Sequence, residues 1–306
     1  MYRNKQNIME DVRKIETVRQ YNDEMGVDTK HPLISIVNFD EIPTYMQFRR
    51  YMGLYCVFLK NIKCGDIRYG CQPYDYEDGT LVFIAPGQVY GIDSSGKIIK
   101  PSGRALVFHP DMIMGTQLRK RIKDYTFFSY DVNEALHLSK KERAIINDCF
   151  DKIENEIDLN LDKHSKTLIV SNIELFLNYC MRFYDRQFIT RTHINTDILV
   201  RFERLLSDYF TSGKSQVIGL PTVTYCAEQL NLSPNYFGDL IKKETGNTAL
   251  DYIQTKLIEE AKEKIFIPNK PINEIADELG FKYQQHFSRL FKQKVGMTPN
   301  EFRNLN

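Results

Sequence analysis

Ile272-Asn273-Glu274-Ile275-Ala276-Asp277-Glu278-Leu279-Gly280-Phe281-Lys282-Tyr283-Gln284-Gln285-His286-Phe287-Ser288-Arg289-Leu290-Phe291-Lys292 is the stretch from which the rest of the chain is best read. Ile272, Ile275, Ala276 and Leu279 recur at i, i+3, i+4 and i+7, so a short helix with one apolar face is predicted. Gly280 suits the left-handed residue that ends such a helix. A second helical period follows, with Phe287, Leu290, Phe291 and Lys294 on one side. Gln284, Gln285, Ser288, Arg289 and Lys292 share the other. Two short helices about a glycine turn form a helix-turn-helix, whose second helix enters the major groove of DNA. Gln pairs with adenine, Arg with guanine, and Lys suits a phosphate. For one such helix alone, a solvated polar face is the favoured reading.

A second copy upstream weighs against that plainer reading. Val223, Ala227 and Leu230 match Ile272, Ala276 and Leu279 at an offset of 49, while Phe237, Leu240, Ile241, Lys242 and Gly246 match Phe287, Leu290, Phe291, Lys292 and Gly296 at an offset of 50. Between the copies, Thr248 to Ile267 holds one helical stripe of Leu250, Ile253, Leu257, Ala261 and Ile265. Such a helix spans about 30 Å, close to the ~34 Å turn of B-DNA, so two recognition helices could enter successive major grooves.

This tandem pattern resembles the DNA-binding domain of the AraC/XylS family of bacterial transcription regulators. The resemblance is carried by Ile275-Ala276, Leu279-Gly280-Phe281, Phe287, Phe291-Lys292, Gly296, Thr298-Pro299 and Arg303. It implies that Gln284, Gln285, Ser288 and Arg289 face the bases in the second unit, with Asn235, Gly238 and Asp239 at the equivalent places in the first. Gly238 has no side chain to read with, and Asp239 repels phosphate while accepting only from an amino group such as cytosine's. The second helix is therefore expected to carry most base specificity. Asn235 and Asp239 would add little to it. Tyr236, Lys242, Lys243, Lys292 and Thr298 are expected on the DNA backbone.

Charge supports this only locally. The chain is +1 overall, and from residue 215 onward eleven Lys and Arg balance eleven Asp and Glu. From Lys282 on, Lys282, Arg289, Lys292, Lys294 and Arg303 face a single acid, Glu301. Modest, salt-sensitive binding helped by dimerisation is the expectation. The chain has no apolar run long enough for a membrane helix and no apolar core of a signal peptide near Met1, so a cytoplasmic protein is expected. Cys56, Cys64, Cys71, Cys149, Cys180 and Cys226 lack Cys-x-x-Cys spacing and read as free thiols.

The N-terminal half changes rhythm twice. Residues 8–25, with Ile8, Val12, Ile15 and Val18, suggest one amphipathic helix. From His31 to about Asp131, short apolar runs (33–37, 54–59, 81–85 and 105–108) alternate with Gly, Pro and Asp, which suggests a small barrel or jelly roll. Helical periods return from Ser139 to Arg186, with Ile169, Ile173, Phe176, Leu177, Cys180, Phe183 and Tyr184 on one face. A helix over Asp197–Phe210 then leads into Thr211–Gln216, a linker candidate. The β-region resembles the cupin-type sensor barrel of many such regulators, through Gly79–Phe83 and the turn Pro86-Gly87-Gln88-Val89. Catalytic cupins hold a metal by a His-x-His pair, which is missing here, so neither a metal nor a cofactor is expected. Any pocket would take an organic ligand, with Tyr55, Tyr69, Phe83 and Phe108 as candidate lining, although ordinary core is the simpler reading of these rings. Gly91-Ile92-Asp93-Ser94-Ser95-Gly96-Lys97 mimics a phosphate-binding loop. Ile98 follows in place of Ser or Thr, and the run reads as a hairpin turn.

The expected fold class is α+β. A cupin-like N-terminal β-barrel (residues 1–132, with an N-terminal helix) precedes a helical dimerisation segment (133–211), a linker (212–219) and an all-α domain (220–306) of two helix-turn-helix units joined by a long helix. The expected function is sequence-specific regulation of transcription by a homodimer, with activation and repression both left open. Its expected partners are double-stranded DNA, RNA polymerase and a small-molecule or protein effector. The competing classes are a cupin enzyme with a DNA-binding tail, disfavoured by the missing metal ligands, and a co-regulator that meets DNA through other proteins.

Overall fold

The computed structural model describes residues 12–46, 49–60, 79–90, 98–131, 134–190 and 192–304. Two compact units divide the chain at Ile189/Thr190.

The first unit is β-rich. Its strands are β1 Val12–Ile15, β2 Ile34–Asn38, β3 Tyr45–Met46, β4 Arg49–Met52, β5 Tyr55–Lys60, β6 Thr80–Ile84, β7 Gln88–Tyr90, β8 Ile98–Ile99, β9 Gly103–Phe108 and β10 Leu136–His137. They form sheets in the orders β10-β6-β5-β9-β2, β1-β4-β7 and β3-β8. The apolar runs thus become strands, displaced by a residue or so. One correction concerns residues 8–25. Val12–Ile15 is a strand parallel to Arg49–Met52, and helix α1 starts only at Val18 (Val18–Met25). The Thr17 capping box with Gln20 fixes that start, because the cap takes up the first free amides and its extended backbone cannot continue a helix backwards. Glu24 on α1 accepts from Arg50 Nε and Nη2 at 2.9 and 2.6 Å, which pins α1 to β4. Ile98 continues as a strand, as the hairpin reading of the preceding run required; residues 91–97 themselves lie outside those described.

The strands sort their side chains by the two-residue period of a sheet. Cys56, Phe58, Val82, Ile84, Ala105 and Val107 share one core with Ile15, Met52 and the residues of α1. Tyr55, Phe83 and Phe108 point the other way. Phe108 stacks on Tyr55 at 4.9 Å, and Phe83 meets Phe127 at 4.4 Å, Phe128 at 5.6 Å and Tyr184 at 6.1 Å. Phe83 and Phe108 are buried and Tyr55 is half-buried among neighbouring aromatics, which fits the simpler reading of these rings as ordinary core; Tyr69 lies outside the described residues.

Helices α2 Gln117–Arg121, α3 Lys140–Asp158 and α4 Ser165–Thr190 complete the unit. Gln187 on α4 accepts from His137 N at 2.8 Å and donates to Ala135 O at 3.3 Å, which ties α4 to β10. The stripe from Ile169 to Tyr184 is buried within the chain. That face is therefore covered within the chain, so a dimer contact made by this segment would use another side of it. Leu168 and Leu175, a heptad apart, are instead 47% and 41% exposed.

The second unit is helical: α5 Thr192–Thr211, α6 Lys214–Ile218, α7 Val223–Gln229, α8 Pro234–Thr245, α9 Ala249–Ile265, α10 Ile272–Glu278, α11 Gln284–Val295 and α12 Pro299–Arg303. Residues 212–219, expected to be a linker, include helix α6 and two points held by the rest of the unit. Ser215 is wholly buried and its hydroxyl donates to Glu278 O, while Tyr209 OH donates to Gly219 O at 2.9 Å. Composition suggested a tether because Ser, Gly and Lys dominate it. Small residues serve equally where backbones pack closely. Within the described residues, no helix is long and apolar enough to cross a membrane.

Candidate nucleic-acid interface

Helices α7 and α8 form one helix-turn-helix and α10 and α11 the other, joined by α9. At seventeen residues, α9 is about 25 Å long. Its buried stripe is Ala249, Ile253, Leu257, Ile258, Ala261 and Ile265. Leu250, expected on that stripe, is 52% exposed, because Ala249 at the helix start takes the inward place.

Recognition helix α11 is held from beneath. Phe287 and Phe291 are fully buried, each burial contributing about 1.5–3 kcal/mol. Phe287 packs on Phe281 at 5.4 Å and Phe291 on Phe302 at 5.5 Å. The opposite face is open: Gln284, Gln285, Arg289 and Lys292 are exposed and Ser288 is half-buried. These five site residues therefore lie together on one helix, as their spacing predicted.

Several basic groups counted in the sequence serve structure instead. Arg303 donates to Ile265 O and Lys270 O at 2.9 and 2.7 Å. Lys294 pairs with Asp251 at 2.9 Å. Lys264 and Lys270 both grip Glu278; although its partial burial alone would raise the pKa, the two ammonium groups hold this carboxyl below its usual range. Lys282, Arg289 and Lys292 of the second helix-turn-helix and Lys242 and Lys243 of the first are exposed.

Helix α8 repeats the scaffold. Ser233 caps it by accepting from Tyr236 N at 3.3 Å, and Pro234 opens it. Phe237 is fully buried and meets Phe202 of α5 edge-on at 4.9 Å, while Asn195 of α5 donates to Glu244 at 2.8 Å. Asn235 is exposed and Asp239 half-buried. Among the expected backbone contacts, Tyr236 is only 5% exposed, which takes its ring off the surface. The Thr298 hydroxyl oxygen accepts from Glu301 N at 3.3 Å as the cap of α12, and its O–H can still donate.

Gly238 lies inside α8, where glycine costs about 1 kcal/mol relative to alanine. A Cβ there would meet nothing within 4 Å. It borders a groove of about 270 Å³ whose other walls are Val223, Asp239, Lys242, Thr248, Ala249 and Leu250. Sequence reasoning also missed a cluster before and within the first turn of α11. Tyr283 is 57% exposed, with Lys282 over its ring at 6.0 Å and His286 edge-on at 5.6 Å. Only their position next to Gln284 could have signalled it.

The chain can now be set beside known proteins. The family described as a helix-turn-helix domain matches residues 226–305. The HTH-type transcriptional regulator YfiF of Bacillus subtilis is 31% identical over 152 residues, which make up 49% of this chain and 45% of YfiF, so under half of that relative is spanned. The multiple antibiotic resistance protein MarA of Escherichia coli is 31% identical over 112 residues, 37% of this chain and 84% of MarA. Among solved structures, the C-terminal domain of the response regulator AraT from Geobacillus stearothermophilus is 30% identical, with a TM-score of 0.32, covering 36% of this chain and 85% of that one. The tandem units, the motif from Ile275 to Arg303 and the likeness to nearly all of MarA lead to one conclusion: the chain belongs to the AraC/XylS family of transcription regulators.

Proposed function

We propose that the chain regulates transcription by binding double-stranded DNA sequence-specifically, with α11 as the principal base reader. The observation that carries this is the face of α11. Gln284, Gln285 and Arg289 stand exposed above buried Phe287 and Phe291, an arrangement that presents amide and guanidinium groups on a rigid base. Asn235 and Asp239 are the lesser readers on α8. Lys242, Lys243 and Lys292 hold the phosphates.

The first unit is a cupin-like sensor in this reading, and not an enzyme. It answers a small molecule or a partner protein, and the cytoplasm is the place of action. A signal leaving the first unit enters the second at α5, which touches α8 through Phe202. It does not pass through a loose tether at 212–219. The working form is a homodimer, whose contact uses the outer face of α4 with Leu168 and Leu175. Activation proceeds through RNA polymerase. Selection of random duplexes by the full-length protein tests the reading: recovery of a site with two blocks about ten base pairs apart supports it, and no enrichment by either the full chain or residues 190–306 overturns it. Sedimentation of Leu168→Glu/Leu175→Glu tests the dimer contact, since a monomeric variant is expected.

A further inference from the structure

We propose that Gly238 is a clearance residue for DNA: with no side chain, it lets a base-pair edge approach the α8 backbone more closely than any other residue would allow. This rests on the reading of the second unit as a DNA reader and deepens it at α8.

Three observations lead there. Gly238 is not among the glycines of positive φ, so its backbone would accept any residue. A Cβ would meet no protein atom within 4 Å, so packing does not require glycine either. It sits between Pro234 and Thr245 in a helix interior, where glycine is the least favourable residue apart from proline. The remaining physical use of a glycine is close approach of the backbone to something outside the chain.

What approaches is set by the neighbours. Gly238 lies one turn from Asn235 and one turn from Lys242, on the outer side of α8, and corresponds to Ser288 on α11. It opens the groove bounded by Ala249 and Leu250, whose apolar surface suits a thymine methyl. Asp239 beside it disfavours a phosphate and accepts from a cytosine amino group. A base-pair edge satisfies both at Gly238, while Lys242, one turn further along α8, is placed for a flanking phosphate. The first helix-turn-helix then selects sequence by fit at Gly238, where α11 selects by hydrogen bonds.

The test uses the full chain with Gly238→Ala and Gly238→Val, and the duplex that wild type selects. Gly238→Ala is expected to unfold about 2–4 °C higher, as a gain in helix propensity implies. It is expected to bind that duplex about tenfold more weakly, the scale of one spoiled base contact, and to lose preference in the α8 block alone. Gly238→Val, whose branched side chain gives back part of the stability gain, should bind more weakly still, which separates size from stability. Raised stability with unchanged affinity and preference would overturn the inference and leave DNA reading intact. Lowered stability in Gly238→Ala would overturn it too, because the fold would then account for the glycine. If wild type selects no duplex, the reading beneath it falls as well.

Discussion

Asn231 and Gly280 occupy the same turn of the two helix-turn-helix units, both left-handed, at φ of 58° and 91°. Asparagine tolerates that conformation where the space is open. At Gly280 a Cβ would lie 2.7 Å from Gly219 C and 2.8 Å from Ser215 O, because α6 presses backbone to backbone on this turn. The recognition helices differ in the same way. The outer face of α11 carries Gln285, Ser288 and Arg289, where α8 carries Asn235, Gly238 and Asp239. One scaffold thus occurs twice: the second copy is clamped by α6 and armed with hydrogen-bonding groups, and the first is braced by α5 and left bare. Repetition fixes the fold, and the departures from it assign the work.

The widest gap between the units should appear at the turns. Gly280→Ala combines a left-handed backbone with a collision against main chain, and a loss of about 3 kcal/mol is expected. Asn231→Gly, at the matching place, should stay within about 0.5 kcal/mol of wild type; urea unfolding reads both. A comparable cost at the two turns would mean that α6 does not clamp the second.

Base reading comes next. Arg289→Ala should cost about 1–3 kcal/mol of specific binding and relax preference at one base position. Asp239→Ala should cost less and weaken only the α8 block. Lys292→Ala should weaken binding to all sequences and lower the salt slope by about 1; titrations against salt separate the three.

Acid should divide the units as well. Glu278, gripped by Lys264 and Lys270, has Gln229 as its counterpart in the first unit. Its folded pKa is depressed, so its contribution is present above the unfolded value of about 4.3 and is lost as pH falls through the folded value. Stability below about pH 4 should therefore fall less steeply in Glu278→Gln than in wild type. Equal slopes would remove this ion triad from the account. The smallest effect concerns Cys226, counterpart of Ile275. Burial pushes its thiol up to about 12, so iodoacetamide should leave it unmodified in native protein and label it only after unfolding, as peptide mass mapping would register.

The helical half was legible because its signals are local. Apolar spacing, Gly280, Gly246 and the repeat at 49–50 residues each act over one or two turns. The strands were legible for the same reason. What escaped depends on partners far along the chain. Lys294 and Arg303 count toward the local positive charge until Asp251 and the carbonyls of Ile265 and Lys270 claim them. Ser215 looks like tether until Glu278 O meets it. The stripe of α4 is apolar whether its cover is a second copy or its own sheet, and period alone does not distinguish the two. Val12–Ile15 fails for a related reason: four residues fit either period, and pairing with β4 decides.

The division of labour between α11 and α8 shows in the sites that the protein selects. Duplexes selected from a random pool by wild type, Arg289→Ala and Asp239→Ala would be sequenced and aligned. Two blocks are expected for wild type, the stronger one relaxed at a single position by Arg289→Ala and untouched by Asp239→Ala. A strong block that survives Arg289→Ala unchanged, or that collapses with Asp239→Ala, would contradict that division.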